Sequence, residues 1–359
     1  MVRNLRVLII GAGPAGVSAA YFLKYYDSDN IVDVNLVERL DSKRYEIYHD
    51  MCGCAISENL LKEIKPLKVE NIVGKIHLIR EFWPDNLVTE TRLKGYIIDR
   101  PEFLKAVIRR FVNMGGEFEV NSVNDITQYN DKVKVKFGTG RAREYDYVIA
   151  ADGANSIVRK KLNIDGKRDY FVQYVIDEPP ERGVLCFYYD EKYKGDYMWK
   201  FPSRNKTKIG FPMFLEREQK SLYSNKKIVT RQVRAIGYGG LDKYCVGRIL
   251  LIGDAACQAN AITKGGIRPA MVAGRIAAQS IIDNDPAGYT TIWKRTRFSS
   301  KIFVKAHLIL RQMDNKALSE HIKPFCKEIS FPYYVKFAVF RRKYITLYRA
   351  YRLANDLGW

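Results

Sequence analysis

Two glycine-rich segments, more than two hundred residues apart, constrain the fold of this chain most. The first, Gly11–Gly16, reads GAGPAG and follows the aliphatic run Leu5–Ile10. The second, Gly253–Ala256, reads GDAA and is followed by the glycine-containing segment Lys264–Ile267. A glycine turn between a buried strand and a helix lets the backbone approach a phosphate at the helix N-terminus. The two segments together predict a chain that folds back to hold both ends of one long dinucleotide.

The first segment predicts a βαβ unit that binds the adenosine half of that dinucleotide. Gly11 permits the tight turn, Gly13 lets the backbone approach a pyrophosphate, and Gly16 allows close helix packing. The alternating segment Val32–Glu38 is the predicted second strand, and its last residue offers a carboxylate to both ribose hydroxyls. A carboxylate at this place disfavours a 2′-phosphate, so NADP is the poorer interpretation.

Two later motifs extend the predicted site and indicate that the dinucleotide is FAD. Asp152–Arg159 reads DGANSIVR after a predicted strand, which suits a dinucleotide phosphate region. Asp254 is expected to end the strand Arg248–Ile252, where its carboxylate can reach ribityl hydroxyls. Gly265 and Gly266 precede the predicted helix Ile267–Ile282, a small-residue helix expected to pack on the sheet. Its N-terminal amides would face the flavin pyrimidine edge.

Composition limits the class of protein and its location. The 359 residues carry a formal net charge of +20, and residues 291–359 hold fifteen Lys and Arg against four Asp and Glu. Such a basic region is a solvated helical surface, a nucleic-acid site or an anionic membrane site. No apolar run is long enough to span a bilayer and no signal peptide is evident, so a cytoplasmic location is predicted. Six cysteines form no disulfide framework or zinc pattern, and no metal is expected.

The middle of the chain is expected to supply a substrate-binding sheet. Residues 44–58 are interpreted as an aromatic and cysteine-bearing loop, and a helix is expected to begin at Arg100 and to run to Gly115 and Gly116. Residues 167–235 alternate as strands. Within them, Tyr197–Pro202 reads YMWKFP, so alternation places Tyr197, Trp199 and Phe201 on one face as an aromatic wall.

These motifs together resemble a known family. The order GxGxxG, Glu38, DGxxSxVR and GDAA resembles the para-hydroxybenzoate hydroxylase type of flavoprotein, and YxWxFP with Met51-Cys52-Gly53 resembles the geranylgeranyl reductase family. The chain departs from that family at Ala261, where proline is expected, and at Lys264, where glycine is expected. The resemblance implies that nine residues contact FAD, namely Ala15, Glu38, Met51, Cys52, Cys54, Arg100, Asp254, Gly266 and Ile267. Val123, in the strand after the Arg100 helix, is a further candidate near the adenine.

The expected fold class is α/β, with three regions. A Rossmann-like FAD-binding domain of the group 2 glutathione-reductase type spans residues 1–165 and 240–290. An inserted antiparallel β-sheet substrate domain spans residues 166–239 and includes parts of 70–100. A basic helical region spans residues 291–359.

The expected activity is saturation of isoprenoid double bonds in membrane lipids or prenyl diphosphates, by hydride transfer from N5 of reduced FAD. Cys52, Tyr197, Trp199 and Phe201 are the predicted catalytic residues, with Cys52 either tuning the flavin, assisting proton delivery or simply packing. An external donor, NAD(P)H or reduced ferredoxin, would supply electrons. The segment Phe331–Tyr344 interleaves aromatic and cationic residues and would attach the enzyme peripherally to the inner membrane face.

Two alternatives are open at this point. One is an FAD-dependent monooxygenase acting on an aromatic or polyprenyl substrate. The other is a basic, nucleic-acid-associated protein with a vestigial flavin fold. Only the charge supports the second alternative, and the complete set of FAD motifs argues against it, so no nucleic acid is expected as a partner.

Overall fold

The computed structural model describes residues 4–129, 131–326 and 342–358. Strands and helices are numbered separately in chain order. The strands are β1 (Leu5–Ile10), β2 (Val32–Glu38), β3 (Ala55–Ser57), β4 (Ile72–Trp83), β5 (Leu87–Ile98), β6 (Glu117–Val120), β7 (Val123–Tyr129), β8 (Lys132–Phe137), β9 (Ala142–Tyr145), β10 (Tyr147–Ala150), β11 (Lys167–Ile176), β12 (Val184–Tyr188), β13 (Met198–Ser203), β14 (Lys206–Pro212), β15 (Ile228–Tyr238), β16 (Cys245–Val246) and β17 (Ile249–Leu251). The helices are α1 (Pro14–Tyr26), α2 (Ser42–Asp50), α3 (Glu58–Glu63), α4 (Arg100–Asn113), α5 (Ile157–Lys161), α6 (Glu216–Leu222), α7 (Ile267–Ile282), α8 (Gly288–Arg295), α9 (Ile302–Leu310), α10 (Asn315–Ile322) and α11 (Ile345–Leu357).

A six-stranded sheet forms the first layer, in the order β16-β17-β10-β1-β2-β6. Strand β1 pairs in parallel with β2 and with β10, and β17 continues the parallel set beyond β10. These strands are nearly fully buried, as expected for a parallel sheet covered on both faces. The carboxyl ends of β1, β10 and β17 therefore meet at one edge, where all three of the predicted glycine turns lie.

Helix α7 packs closely on α1 rather than on the sheet itself. A Cβ on Gly274 would lie 2.5 Å from the carbonyl oxygen of Ala15, and Ser18 Oγ donates to the Met271 carbonyl at 2.6 Å. Small residues allow this close approach of two helix backbones. Since α1 starts at the first glycine turn and α7 starts just after Gly265 and Gly266, their contact sets the distance between these two glycine segments.

The second layer is an eight-stranded sheet in the order β15-β11-β14-β13-β12-β4-β5-β3. Its pairs are antiparallel except for β12 with β4, which are parallel. Strands from residues 55–98 thus share one sheet with strands from residues 167–238. The aromatic segment around β13 lies near the middle of this sheet.

Two local predictions are wrong. Residues 42–50 form helix α2 rather than a loop, because Asp41 caps it by accepting from the Arg44 amide and because Tyr45 and His49, one turn apart, are both buried. Val123 does not lie in the strand that directly follows the Arg100 helix. That strand is β6, whereas Val123 opens β7 in a separate three-stranded sheet with β8 and β9.

The C-terminal helices form a second hydrophobic cluster. Phe303 and Leu310 of α9 and Leu347 of α11 are buried there together with Trp83 of β4. None of the helices in the described ranges is long and apolar enough to cross a membrane. Most of the predicted membrane segment Phe331–Tyr344 lies outside the described residues.

Candidate active site

One cavity of about 890 Å³ joins the two layers. It begins at the carboxyl ends of β1, β10 and β17, follows one face of the eight-stranded sheet and reaches helix α11. Most of the predicted site residues line it, namely Gly13, Ala15, Met51, Cys52, Cys54, Arg100, Tyr197, Trp199, Phe201, Asp254, Gly265, Gly266 and Ile267. Five predicted site residues do not line it, namely Gly11, Gly16, Glu38, Val123 and Asp152.

Gly11, Gly16 and Glu38 shape the first turn from behind the cavity wall. Gly11 has a φ of +97°, and a Cβ on it would lie 2.5 Å from the Ala151 carbonyl oxygen. A Cβ on Gly16 would lie 1.8 Å from the Gly11 carbonyl oxygen, so only glycine fits there. Glu38 is buried and its two oxygens accept from the amides of Ala12 at 2.9 Å and Leu40 at 3.0 Å. The same carboxylate that is predicted to bind ribose therefore also fixes the loop around it.

Asp254 lies in a short 3₁₀ helix, Gly253–Ala256, just past the end of β17 rather than in the strand. Burial raises the pKa of its carboxyl to about 6, against the opposing positive charges of Arg234 and Arg100. Arg100 is itself buried, and its Nε donates to the His49 carbonyl at 2.5 Å. One carboxyl group with a raised pKa and two guanidinium groups thus face one end of the cavity.

The residues at this end fit a flavin dinucleotide. Arg100 Nη2 in the cavity wall, and Asp152 Oδ1 between the lining residues Ala151 and Gly153, are buried and have no hydrogen-bond partner within the described part of the chain. Such groups carry a desolvation cost unless a ligand satisfies them. The start of α7 has no side-chain cap, which leaves its amides free to face a polar ring edge. Cofactor-binding roles for the individual residues stay predictions.

Cys52 and Cys54 are hydrogen-bonded to each other at the cavity wall. The Cys54 amide donates to Cys52 Sγ at 3.3 Å, and Cys54 Sγ donates to the Cys52 carbonyl at 3.3 Å. Hydrogen bonding from Cys54 lowers the pKa of the Cys52 thiol well below its ordinary value. The buried ammonium of Lys208 donates to the Cys52 carbonyl at 3.0 Å and to Asp50 Oδ1 at 2.9 Å. Cys52 is therefore the more acidic of the two thiols.

Tyr197, Trp199 and Phe201 form a wall beside these cysteines, as the alternation predicts. The rings of Tyr197 and Trp199 lie 6.1 Å apart, and Phe187 of β12 contacts both Tyr197 at 5.0 Å and Phe201 at 5.2 Å. The Tyr197 hydroxyl donates to the Thr263 carbonyl, which ties the wall to the loop before α7. Phe187 was not predicted, because its strand carries no motif.

The far end of the cavity is walled by side chains that no sequence motif predicts. The rings of Trp83 and Tyr189 stack with centroids 3.8 Å apart. Glu81 lies beside them, accepts from Thr89 Oγ1 at 2.7 Å, and has its pKa raised by burial. Tyr351 of α11 closes the cavity there. Three stretches far apart in the sequence, namely the β4–β5 hairpin, the end of β12 and α11, thus meet at this end.

Lys264, one of the two departures from the family pattern, lies in a buried polar cluster. Its ammonium is 3.0 Å from Asp196 Oδ1, 3.4 Å from Asp169 Oδ2 and 3.6 Å from the ring centroid of Tyr238. The side chains of Asp169, Asp196 and His307 lie close enough together to hold a cation. The Lys264 ammonium takes the place of such a cation between the carboxylates of Asp169 and Asp196, and it thereby anchors the loop before α7.

Comparisons with known proteins agree with this geometry. The sequence profile of the pyridine nucleotide-disulphide oxidoreductases matches residues 5–179. A digeranylgeranylglycerophospholipid reductase of Methanosarcina acetivorans is 28% identical over 328 residues, which cover 80% of this chain and 77% of the relative. A chloroplastic geranylgeranyl diphosphate reductase of Arabidopsis thaliana is 27% identical over 329 residues, which cover 80% of this chain and 67% of the relative.

This chain is a homologue of the geranylgeranyl reductases. A geranylgeranyl bacteriochlorophyll reductase-like structure from Thermoplasma acidophilum shares its fold, with a TM-score of 0.80 and 19% identity over 98% of this chain and 99% of the other. The flavin-dependent halogenase CmlS has a TM-score of 0.70 and 17% identity over 95% of this chain and 71% of the other.

The comparisons confirm several predictions for this reductase homologue. The resemblance to the geranylgeranyl reductase family is confirmed, as are the fold class, the FAD cofactor and the flavin-dependent oxidoreductase class. The predicted residue roles stay predictions. The eight-stranded sheet adds Phe187, Glu81 and Tyr189 to the cavity wall, and α11 adds Tyr351.

Proposed function

We propose that this protein saturates isoprenoid double bonds of geranylgeranyl lipids or prenyl diphosphates. The observation that carries the proposal is the continuity of one cavity, from the polar end that fits FAD, past the wall of Tyr197, Trp199 and Phe201, to the aromatic end at α11. A long apolar chain needs such a lined path, because each double bond in turn must reach the same reactive point. The names of the relatives support this substrate class.

Bound reduced FAD supplies the hydride for this reaction. The protein must hold an unactivated alkene close to the reactive ring and free of water, since such an alkene has no carbonyl to polarise. The rings of Tyr197, Trp199 and Phe201 bind its apolar surface, and their faces stabilise developing positive charge. The same apolar wall limits the access of water to that point.

We assign Cys52 the role of a proton-handling group at that point. It lines the cavity, and hydrogen bonding from Cys54 favours its thiolate. Cys52→Ala would lose most reductase turnover and keep its FAD. The same substitution at Cys326, which lies outside this cavity, is the matched control. Unchanged turnover in Cys52→Ala would reduce Cys52 to a packing residue.

We divide the molecule between cofactor and substrate in the same way. Residues 1–165 and 240–290 bind FAD, residues 166–239 with parts of 70–100 bind substrate, and residues 291–359 form a basic region. That region would face an anionic membrane surface, where the lipid substrate lies. Vesicles with and without anionic lipid, compared at low and high salt, test this attachment. Binding that is equal on both vesicle types would contradict it.

An external donor, either NAD(P)H or reduced ferredoxin, would reduce the FAD.

The deciding experiment is anaerobic incubation of dithionite-reduced holoenzyme with geranylgeranyl lipids, followed by mass spectrometry. The expected products are heavier by successive pairs of hydrogen atoms. A monooxygenase would instead show oxygen uptake and a product heavier by one oxygen atom when oxygen and NAD(P)H are supplied. Phe201→Ala should lower product formation strongly, whereas Tyr129→Ala, at the exposed end of β7 and outside the cavity, should not.

A further inference from the structure

A line of three hydrogen bonds runs from the aromatic wall to the protein surface. Trp199 Nε1 donates to Gln173 Oε1 at 3.3 Å, Gln173 Nε2 donates to Gln232 Oε1 at 2.5 Å, and Gln232 Nε2 donates to Asp50 Oδ2 at 3.0 Å. Both glutamines are buried, at 4% and 3% exposure. Buried amides are costly unless their hydrogen bonds are made, so this pair has a specific use.

The sheet register places these residues in one row. Gln232 of β15 lies opposite Gln173 of β11, which lies opposite Gly210 of β14, which lies opposite Trp199 of β13. Directly opposed residues project from the same face of a sheet. Gly210 has no side chain, and a Cβ there would lie 1.9 Å from Trp199 Cζ2. The indole therefore crosses β14 over Gly210 to reach the glutamine on the next strand.

The two ends of this row dictate the same orientation for both amides. An ionised carboxylate only accepts hydrogen bonds, so Asp50 selects the NH₂ group of Gln232 and leaves its oxygen for Gln173. An indole N–H only donates, so Trp199 selects the oxygen of Gln173 and leaves its NH₂ group for Gln232. Reversing either amide would set two acceptors or two donors against each other. The Lys208 ammonium holds the other Asp50 oxygen at 2.9 Å.

We infer that Gln173 and Gln232 are positioning residues that fix the Trp199 indole in the cavity wall from the anchored Asp50 carboxylate. The inference rests on the proposed function, because a fixed Trp199 indole matters only if its ring binds the alkene. A held indole presents one ring face at a constant place, and each double bond of the isoprenoid chain meets the same surface. Without the row, the indole N–H loses its acceptor, and only ring contacts such as those with Phe171 and Tyr197 hold its orientation.

The variant Gln173→Leu tests the row, since leucine removes the acceptor at similar size. We expect kcat to fall roughly five- to tenfold, the effect of one lost buried hydrogen bond, with KM less affected. Gln232→Leu should give a smaller fall in the same direction, because Gln173 remains. The matched control is Gln219→Leu, a buried glutamine on α6 outside the row. It should leave kcat unchanged.

A double-mutant cycle separates positioning from general damage. In a Trp199→Phe background there is no indole N–H to hold, so adding Gln173→Leu should change kcat by less than about twofold. An equal fall in both backgrounds would overturn the inference and leave Gln173 as a packing residue.

A second readout needs no substrate. Indole N–H resonances of the four tryptophans are resolved by ¹⁵N-tryptophan labelling of the holoenzyme, and Trp199→Phe assigns the signal of Trp199. Gln173→Leu should shift that signal and speed its exchange with solvent, whereas Gln219→Leu should not. A shifted signal in an enzyme that reduces no lipid would keep the row and reject the proposed function. An unshifted signal would reject the row whatever the enzyme reduces.

Discussion

The two ends of the cavity are built in opposite ways. The polar end, where we propose that FAD binds, is called the cofactor end. It comes from short contiguous segments that follow strands of the first sheet, such as Gly11–Gly16 after β1 and the 3₁₀ helix Gly253–Ala256 after β17. The aromatic end comes from single side chains of separate elements, including Trp83, Tyr189 and Tyr351. A contiguous turn has its chemistry and its geometry in the same few residues. The residues of a wall built from distant elements are neighbours only in the folded sheet, so no short stretch of sequence contains the wall.

This difference predicts how substitutions act. A substitution in a cofactor turn changes a backbone conformation that only glycine adopts easily, so it should abolish FAD binding. A change in the aromatic wall acts on one of many ring contacts, so it should shift rates or substrate preference and spare the cofactor.

The largest effect is expected for Gly11→Val. Valine disfavours the φ of +97°, and its Cβ would lie 2.5 Å from the Ala151 carbonyl oxygen. We expect a loss of more than about 3 kcal/mol in unfolding free energy and no bound FAD. Gly140→Val is the control, because Gly140 has a φ of +83° with nothing within 4 Å of its Cβ. The ratio of flavin absorbance to protein concentration checks both variants. A Gly11→Val protein that still binds FAD would contradict the difference between the two ends of the cavity.

A second prediction concerns the charge at the cofactor end. Burial raises the pKa of Asp254 to about 6, so between pH 4 and 6 the folded apoprotein binds this proton more tightly than the unfolded chain does. The unfolding free energy from this group therefore falls as pH rises through that window, by at most about 3 kcal/mol. Asp254→Asn has no proton to lose, so its stability relative to wild type should rise with pH and level off above 6. Denaturant unfolding of both apoproteins measures this, and parallel pH curves would contradict it.

The sequence predicts the cofactor end of the cavity better than the aromatic end. The βαβ unit, the boundaries of α7 and the glycine turns could be predicted, because glycine turns and the apolar periods of strands and helices act within a few residues. The loop expected over residues 44–58 is wrong for residues 44–50, which lie in α2, because the partners that bury Tyr45 and His49 come from a distant element, the first glycine turn. The Gln173–Gln232 pair could not be predicted, since only the strand register brings it beside Trp199. The pairing of β12 with β4 likewise brings Tyr189 beside Trp83 and Glu81.

An intermediate effect is expected for Gly53→Ala, at the border of the two ends. A Cβ on Gly53 would lie 2.4 Å from Phe201 Cδ2, so the ring must move. We expect turnover to fall roughly tenfold, which corresponds to about 1.4 kcal/mol, while FAD content stays normal. Gly74→Ala on β4 is the control, because its Cβ would make only ordinary contacts at 3.7 Å. Loss of FAD in Gly53→Ala would assign this glycine to the cofactor end instead.

The smallest effect is expected for Ala354→Phe on α11. Ala354 is buried and lines the aromatic end, so a phenyl ring there shortens the space for an isoprenoid chain. We expect kcat/KM for a geranylgeranyl substrate to fall roughly three- to tenfold relative to a geranyl substrate, with FAD content unchanged. The control Asp356→Phe places the same ring on the exposed side of the helix. An unchanged preference in Ala354→Phe would mean that the substrate chain stops short of α11 and that the aromatic end takes no part in binding it.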